Sequence, residues 1–459
     1  MHKSVKETYI NVLFKIVYLV HLFLSLLVYT AGNKISLILL LICGVIIGVY
    51  RIVHIKEYLK FHSVLILTAF MISYIISNLI FVRYGVMEQF QMLVWMGFQF
   101  FLLYTINLEN KVSDIYKEMK IVFYTMIVLS TVVSAIGLGT MLANYATVVK
   151  SIDGRLFLTG LTPWGRLYGI YNEINYASVF TLVCIFLSHM LLKQNNKLTV
   201  KVCLVCSNVI QILFIIFGQS RTAQVCIVMA SVVLLICKTL EDVNKKNIIK
   251  NSVIGLIVVV ISFGGFPKVV TLYNSIDFDL SSSIDTDETE QDSQEDPKIE
   301  MGRDDILTGD ISNRRFDLWR SSLDFIKNEP IVGVGNRNIV AYAEEYLPNT
   351  YLIANDSGAY DAFHNTVVDV AVSQGIVGIL ILLILVFCIL KFIVGRWKCL
   401  NDKDKHICSY LLAIEVMIAG SAMFLSHIFY VNILTTYCFW LILGYLIFLL
   451  SKANLEKEI

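Results

Sequence analysis

Four short stretches of this chain gather side chains suited to work on anions and hydroxyl groups. "DAFHNTVVDVAVSQGIVG" places Asp361, His364, Asn365 and Asp369 at the mouth of an apolar run. A histidine with an unperturbed pKa of about 6.5 can accept a proton near neutrality. Asn365 is equally suited to cap the helix that follows. "NRRFDLWRSSLDFIKNEPIVGVG" carries Arg314, Arg315 and Arg320. A guanidinium fork matches the oxygens of a phosphate group, and the same residues also anchor amphipathic helices at membrane interfaces. Trp319 follows Arg315 by one helical turn, a spacing that lets the ring stack on the cation. Finally, "TPWGRLYGIYNEINYAS" and "FGQSRTA" hold Arg166, Asn172, Asn175 and Arg221. Their structural alternatives are capping by Asn172, Asn175 and Ser220, turns at Gly165 and Gly169, and a snorkelling Arg221.

Positioning these groups falls to a membrane. Of 459 residues, 57% are hydrophobic and 16% charged, with mean hydropathy +0.70. A soluble domain carries about 25% charged residues, and no globular core can absorb so much apolar surface. The net charge of +1 gives no electrostatic footprint for nucleic acid. A helix needs about 20 apolar residues to cross a bilayer. Twelve runs qualify, at roughly 12–31, 35–52, 63–82, 88–107, 121–143, 173–192, 199–218, 222–240, 248–266, 365–390, 407–427 and 430–450. The first lacks a small-residue cleavage site and reads as a span, not a signal peptide. The expected fold is all-α and polytopic, with spans in 1–266 and 365–459 and one large extracytoplasmic loop over 267–364. Placing the N-terminus inside puts 23 of the 37 Lys and Arg, Lys15 and Arg51 among them, in cytoplasmic segments and only six in the short outer loops. Positive charge is retained inside, so both termini are expected in the cytoplasm.

The remaining features sharpen this outline. All five prolines, Pro267 included, fall in the expected outer loops. Transporters often break spans with Gly or Pro, so the pattern favours unbroken helices that present chemistry at the outer face. The ten cysteines avoid the large loop, and Cys203-x-x-Cys206 sits in an apolar run, so they read as small packing residues. Residues 277–310 are acidic and Ser-rich and read as a solvated insertion. Over 313–363 a helical lid is expected, with Asn313 as cap and Phe316, Trp319, Leu323 and Ile326 as its apolar stripe. "GVGNRN" follows no βαβ unit and reads as a tight turn. Gly375 and Gly378 read as packing glycines that admit a neighbouring helix. Glu415, within a span, is a functional candidate with structural pairing as its alternative.

The motifs occur in a characteristic order: "GRLYGIYNEINYA", "GQSRTA", "NRRFDLWRSSLDFIKNEPIVGVGNRN" and "FHNTVVDVAVSQGIVG". This series, on a twelve-span outline, resembles the O-antigen ligase and polymerase family of bacterial envelope glycan enzymes. It departs from the family in "NEIN", where many members have Asn-Pro-Asn, and in the acidic insertion.

The resemblance implies a glycosyltransferase of the bacterial plasma membrane. Its donor would be a glycan on undecaprenyl pyrophosphate, and its acceptor a sugar hydroxyl at the outer face. Arg221 and Arg315 match the family's arginines on the pyrophosphate, and His364 matches the histidine that acts on the acceptor. Arg166, Asn175, Arg314, Arg320, Trp319, Asn365 and Asp369 are the expected substrate-binding residues. The leaving group is already activated, so the reaction needs charge stabilisation and a base. Asp361 or Asp369 would orient His364, and attack opposite the pyrophosphate would invert the anomeric centre. No cofactor and no metal ligands are expected. Expected partners are the lipid-linked oligosaccharide, the bilayer, a chain-length regulator and other polysaccharide assembly proteins. Polymerisation of repeat units is the favoured activity. Ligation to a non-repeat acceptor and non-enzymatic export or flipping are the alternatives.

Overall fold

The computed structural model describes residues 2–84, 86–241, 243–275, 301, 314–355 and 358–453, with side chains from residue 9. The cap expected at Asn313 and, Met301 apart, the acidic stretch 277–310 lie outside them. The chain is 75% helical. In lipid a backbone must satisfy its own polar groups, so apolar runs become helices. They are α1 (His2–Leu26), α2 (Lys34–Val53), α3 (Val64–Ile80), α4 (Met87–Gly97, continued by a π turn over Phe98–Tyr104), α5 (Val112–Leu142), α6 (Ile174–Gln194), α7 (Leu198–Gly218), α8 (Arg221–Glu241) and α9 (Lys245–Asn274). After the lid helices α10 (Arg315–Asn328) and α11 (Ile339–Tyr346) come α12 (Thr366–Trp397), α13 (Asp402–Ser421) and α14 (Leu434–Lys452). Among the described residues, nine helices are long and apolar enough to cross a membrane, and α3 is a shorter apolar helix. The protein is therefore the all-α, multi-pass membrane protein that its composition implied.

Burial sorts these helices. Helix α14 is buried on nearly every face and forms the spine of the bundle, with Gly444 set against the backbone of Tyr104. Helices α2, α9 and α12 are mostly exposed and lie at the rim, where Ile, Leu and Val side chains can face lipid. The lid has its own small core. Leu318, Phe325, Ile339, Tyr342 and Phe363 pack with Phe81 of the α3 end and Val372 of α12.

Four sequence expectations need correction. First, α9 does not stop before Pro267 but runs to Asn274. A π turn over Ile261–Gly265 precedes the proline, which sits in the first turn of the continuing helix. Such a turn shifts the ladder, so the missing N–H and the ring are accommodated.

Second, the spans are not all unbroken. Helix α12 is interrupted at Gly375 (φ 58°, ψ −153°), a conformation essentially reserved for glycine. The segment Pro330–Gly335 fills the break. Val334 and Gly335 donate N–H bonds to the Val372 and Ser373 carbonyls, each at 2.9 Å. Ile376 and Val377 donate back to Pro330 and Ile331 at 2.9 and 3.3 Å. A Cβ on Gly333 would meet the Val372 carbonyl, and one on Gly375 the Ile331 carbonyl. The "GVG" turn and the "SQG" glycine are thus two halves of one backbone pairing.

Third, Lys15 and Arg51 are not solvated loop cations. Both are buried, Lys15 paired with Glu118 and Arg51 bonded to Asn11 and the Thr105 carbonyl.

Fourth, the segment after α5, expected as an outer loop, is not simple loop. It forms an antiparallel sheet, β1 (Ala146–Lys150), β2 (Leu156–Leu161) and β3 (Leu167–Gly169), in the order β1-β2-β3. Gly169 (φ 58°) lies against Gly137 of α5, which brings β3 onto the bundle.

Candidate functional site

The hairpin between β2 and β3 delivers Arg166. Thr162 donates its N–H to the Arg166 carbonyl at 2.8 Å, and Gly165 (φ 70°) closes the turn. Arg166 is only 7% exposed. Its Nε donates to the Gly218 carbonyl at 3.1 Å, and an Nη donates to Asn175 Oδ1 at 3.4 Å. Asn175 lies in the first turn of α6, which Glu173 caps by accepting the Asn175 N–H at 2.9 Å. Ser220 donates its hydroxyl to Asn175 Oδ1 at 3.0 Å and accepts from the Ala223 N–H at 3.4 Å. It therefore caps α8 as expected, and Arg221 is the first residue of that helix, partly buried. Arg166, Asn175 and Arg221 are gathered at one mouth formed by α6, α7 and α8.

The second half of the site is built around Phe363. Its N–H is held by Asp369 Oδ1 at 2.9 Å, and its carbonyl accepts the Trp319 indole N–H at 3.0 Å. The other Asp369 oxygen accepts the Ser426 hydroxyl at 2.6 Å. Asp369 is 2% exposed, so its contact is with this loop, and it fixes the backbone ahead of His364. Asn365 caps α12, accepting N–H bonds from Val367 at 3.0 Å and Val368 at 3.3 Å. Between these anchors His364 adopts φ 52°, an uncommon left-handed conformation for a side-chain-bearing residue. Its Nδ1 is buried without a hydrogen-bond partner. Burial pushes the imidazole pKa below its ordinary value, the nearby Arg315 cation adds to that, and Asp361 partly opposes it.

Tyr176 joins the two halves. It follows Asn175 on α6, and its hydroxyl donates to the Ser426 carbonyl at 3.5 Å. It lies within electrostatic reach of Glu173, Asp361, Asp369 and Arg315, and its ring meets His427 edge-on at 5.1 Å. Glu173, Tyr176, Ser426 and His427 were not identified from sequence. A hydroxyl and a ring in otherwise apolar runs carry no pattern, and Ser426 is 57 residues from Asp369.

Not every expected residue joins. Arg314 is exposed and pairs with Asp317 across 3.7 Å. Arg320 faces a separate groove of about 380 Å³ with Asp324, Tyr346 and Tyr351. The apolar stripe of α10 is also rotated from expectation: Leu318 and Phe325 are buried, whereas Phe316 and Leu323 are exposed. Trp319 and Ile326 pack on the lid core from its margin. Glu415 is buried elsewhere, near Tyr104 and Cys438.

Residues 206–383 match the model of the O-antigen ligase family, Wzy_C. The match runs from α7 into α12, so it takes in Arg221, Arg315 and His364 and leaves out Arg166 and Asn175. Over 140 residues the chain is 32% identical to the exopolysaccharide production protein ExoQ of Rhizobium meliloti (strain 1021). That alignment covers 30% of this chain and 29% of ExoQ, less than a third of either. With the ordered motifs, these matches make this part of the chain similar to the O-antigen ligase/polymerase-like family.

Proposed function

We propose that the protein is a polysaccharide polymerase of the bacterial plasma membrane, with both termini cytoplasmic. It would move a glycan from undecaprenyl pyrophosphate to a hydroxyl of another lipid-linked repeat unit at the outer face. The observation that carries this reading is the setting of His364. Its preceding residue is clamped at both backbone groups, its Nδ1 has no partner, and Arg315 and Asp361 are its charged neighbours.

In this mechanism the neutral imidazole takes the proton of the acceptor hydroxyl. The hydroxyl oxygen bonds to the anomeric carbon as the bond from that carbon to the pyrophosphate oxygen breaks. The pyrophosphate departs on its lipid, and Arg315 and Arg221 stabilise the charge it gains. Attack from the opposite face inverts the anomeric centre, and no metal enters. Arg166 and Asn175 hold the mouth through which the donor headgroup enters.

The printed description of the matching family, an O-antigen ligase, favours a second reading, transfer to a non-repeat acceptor. The description of ExoQ as an exopolysaccharide production protein favours polymer. Purified full-length protein in nanodiscs, supplied with lipid-linked repeat units, distinguishes them. Ladders of growing polymer are expected. Product only with an added non-repeat acceptor assigns the ligase, and lipid scrambling without a new glycosidic bond overturns both.

A further inference from the structure

A cationic cavity lies at the end of the bundle opposite His364, where glycan transfer has no use for it. Helix α6 starts beside Arg166 and ends at Lys193 and Gln194. At 1.5 Å per residue, its 21 residues run about 30 Å. Helix α8 likewise leads from Arg221 to Glu241, and α13 leads from Asp402 to Ser421, one residue before Ala422, whose carbonyl accepts the Thr366 N–H at 2.8 Å. The far ends of these three helices, with Lys120 of α5, enclose about 820 Å³.

The lining is cationic. Lys120, Lys193, Lys403 and Lys405 face only two carboxylates, Glu241 and Asp402. Asp402 is fully exposed and stands 3.8 Å from Lys405, a pairing worth little in water. One further group points to a missing acceptor. Gln194 Nε2 belongs to a lining residue and is buried without a hydrogen-bond partner. The amide nitrogen is a donor in every state, and buried donors are normally satisfied. Here it stands among surplus cations, in a cavity of the size that holds a small-molecule headgroup. The lysine distribution also assigns this end to the cytoplasmic side, where anionic headgroups concentrate.

We propose that the cavity formed by the far ends of α6, α8 and α13 binds a phosphate-bearing anion, with Lys193, Lys403 and Lys405 meeting its charge and Gln194 donating to its oxygens. An acidic phospholipid headgroup is its membrane source, and a soluble phosphate compound the other source of the same chemistry. The site is independent of the reaction at His364.

The test uses the full-length protein in neutral detergent, read by native mass spectrometry and thermal unfolding with phosphatidylglycerol, phosphatidylcholine or inorganic phosphate. Phosphatidylglycerol should be retained and should raise Tm relative to phosphatidylcholine. Replacing Lys193, Lys403 and Lys405 with Gln should weaken its binding by roughly fivefold per lysine. The control pair Lys56→Gln and Lys60→Gln, which does not line the cavity, should leave binding intact. Stabilisation by inorganic phosphate that vanishes in the triple variant would assign the soluble source. Equal retention of the two lipids without a phosphate effect, or equal loss in the control pair, overturns the proposal. If the triple variant does not fold, Gln194→Leu reads the same site without changing charge, and unchanged anion binding in that variant counts against it.

Discussion

The two halves of the candidate site are built on opposite plans. Around Arg166 every observed contact closes on the protein: the Gly218 carbonyl, Asn175, Glu173 and Ser220 form a network with a buried guanidinium at its centre. Around His364 the protein closes on the backbone and meets the ring edge-on with Tyr360, leaving Nδ1 unbonded. Phe363 is held at both its N–H and its carbonyl, Asn365 caps the next helix, and Nδ1 is unpartnered. A buried polar group without a partner costs free energy, and a left-handed side-chain-bearing residue adds strain. Such costs concentrate where a group is kept ready for something that arrives later. The network around Arg166 therefore reads as architecture beside Arg221, and the loop around His364 as chemistry.

The largest effect should come from breaking the second half. His364→Asn suits the left-handed backbone, since asparagine tolerates that region, so folding should survive. Turnover should fall by about 10²- to 10⁴-fold, the usual worth of a general base. Arg166→Met should behave in reverse. Loss of its bonds to Gly218 and Asn175 should remove about 1–3 kcal/mol of stability and leave measurable turnover. Thermal melts and single-turnover assays on both variants decide the matter. An Arg166→Met protein that melts normally yet is inactive would erase the division.

Next in size is the link between the halves and the bundle. Asp369→Asn keeps the side chain's shape and an acceptor for the Phe363 N–H, but loses the charge that strengthens that bond and the one from Ser426. A shift of about 1 Å in a catalytic group can cost 10²-fold. A fall in kcat of about 10- to 100-fold with KM little changed is expected. A variant altered in KM alone would mean that Asp369 meets the substrate directly.

These positions also mark what was readable in the chain. The membrane helices were, because an apolar run of bilayer length has few alternatives. His364 was singled out because a histidine at the mouth of such a run is conspicuous, and Asn365 because a cap needs only local sequence. The Asp369–Ser426 bond was not, since it joins segments 57 residues apart. The strands at 146–169 were missed because short β-branched runs such as "ATVVK" look like loop beside long spans. The α10 stripe was misplaced because the sequence offers two adjacent apolar faces and only packing against Phe81, Tyr342 and Phe363 selects one. The break in α12 was hidden for the same kind of reason. A glycine in an apolar run looks like a packing position until its partner segment is known. Gly375→Ala tests that assignment, because it forces a side chain into a glycine-only conformation against the Ile331 carbonyl. A loss of about 1–3 kcal/mol from backbone strain should appear as a lower Tm or poor yield. Gly48→Ala in α2, with nothing within 4 Å of a new Cβ, should be neutral or stabilising. Equal behaviour of the two variants would refute the break.

The smallest effect is the finest probe of the contrast, because it changes the charge around the ring and not its contacts. The His364 pKa is held below the ordinary 6.5 by burial first and by Arg315 second, with Asp361 raising it. The folded protein therefore favours the neutral ring, and the unfolded chain binds more protons just below pH 6.5. The stability contributed by this residue is complete above 6.5 and is lost as pH falls through the folded value. If the neutral ring is the base, the acid limb of kcat/KM should likewise lie below pH 6.5. Asp361→Asn removes a charge that raises the pKa, so the limb should move further down. Conservative loss of the cation in Arg315→Gln should move it up in whatever activity remains. A limb at or above 6.5 in the parent protein, or one indifferent to Asp361→Asn, would remove His364 as the titrating base. The clamped loop would then be architecture as well, and the difference between the two halves would lie only in how tightly each is closed.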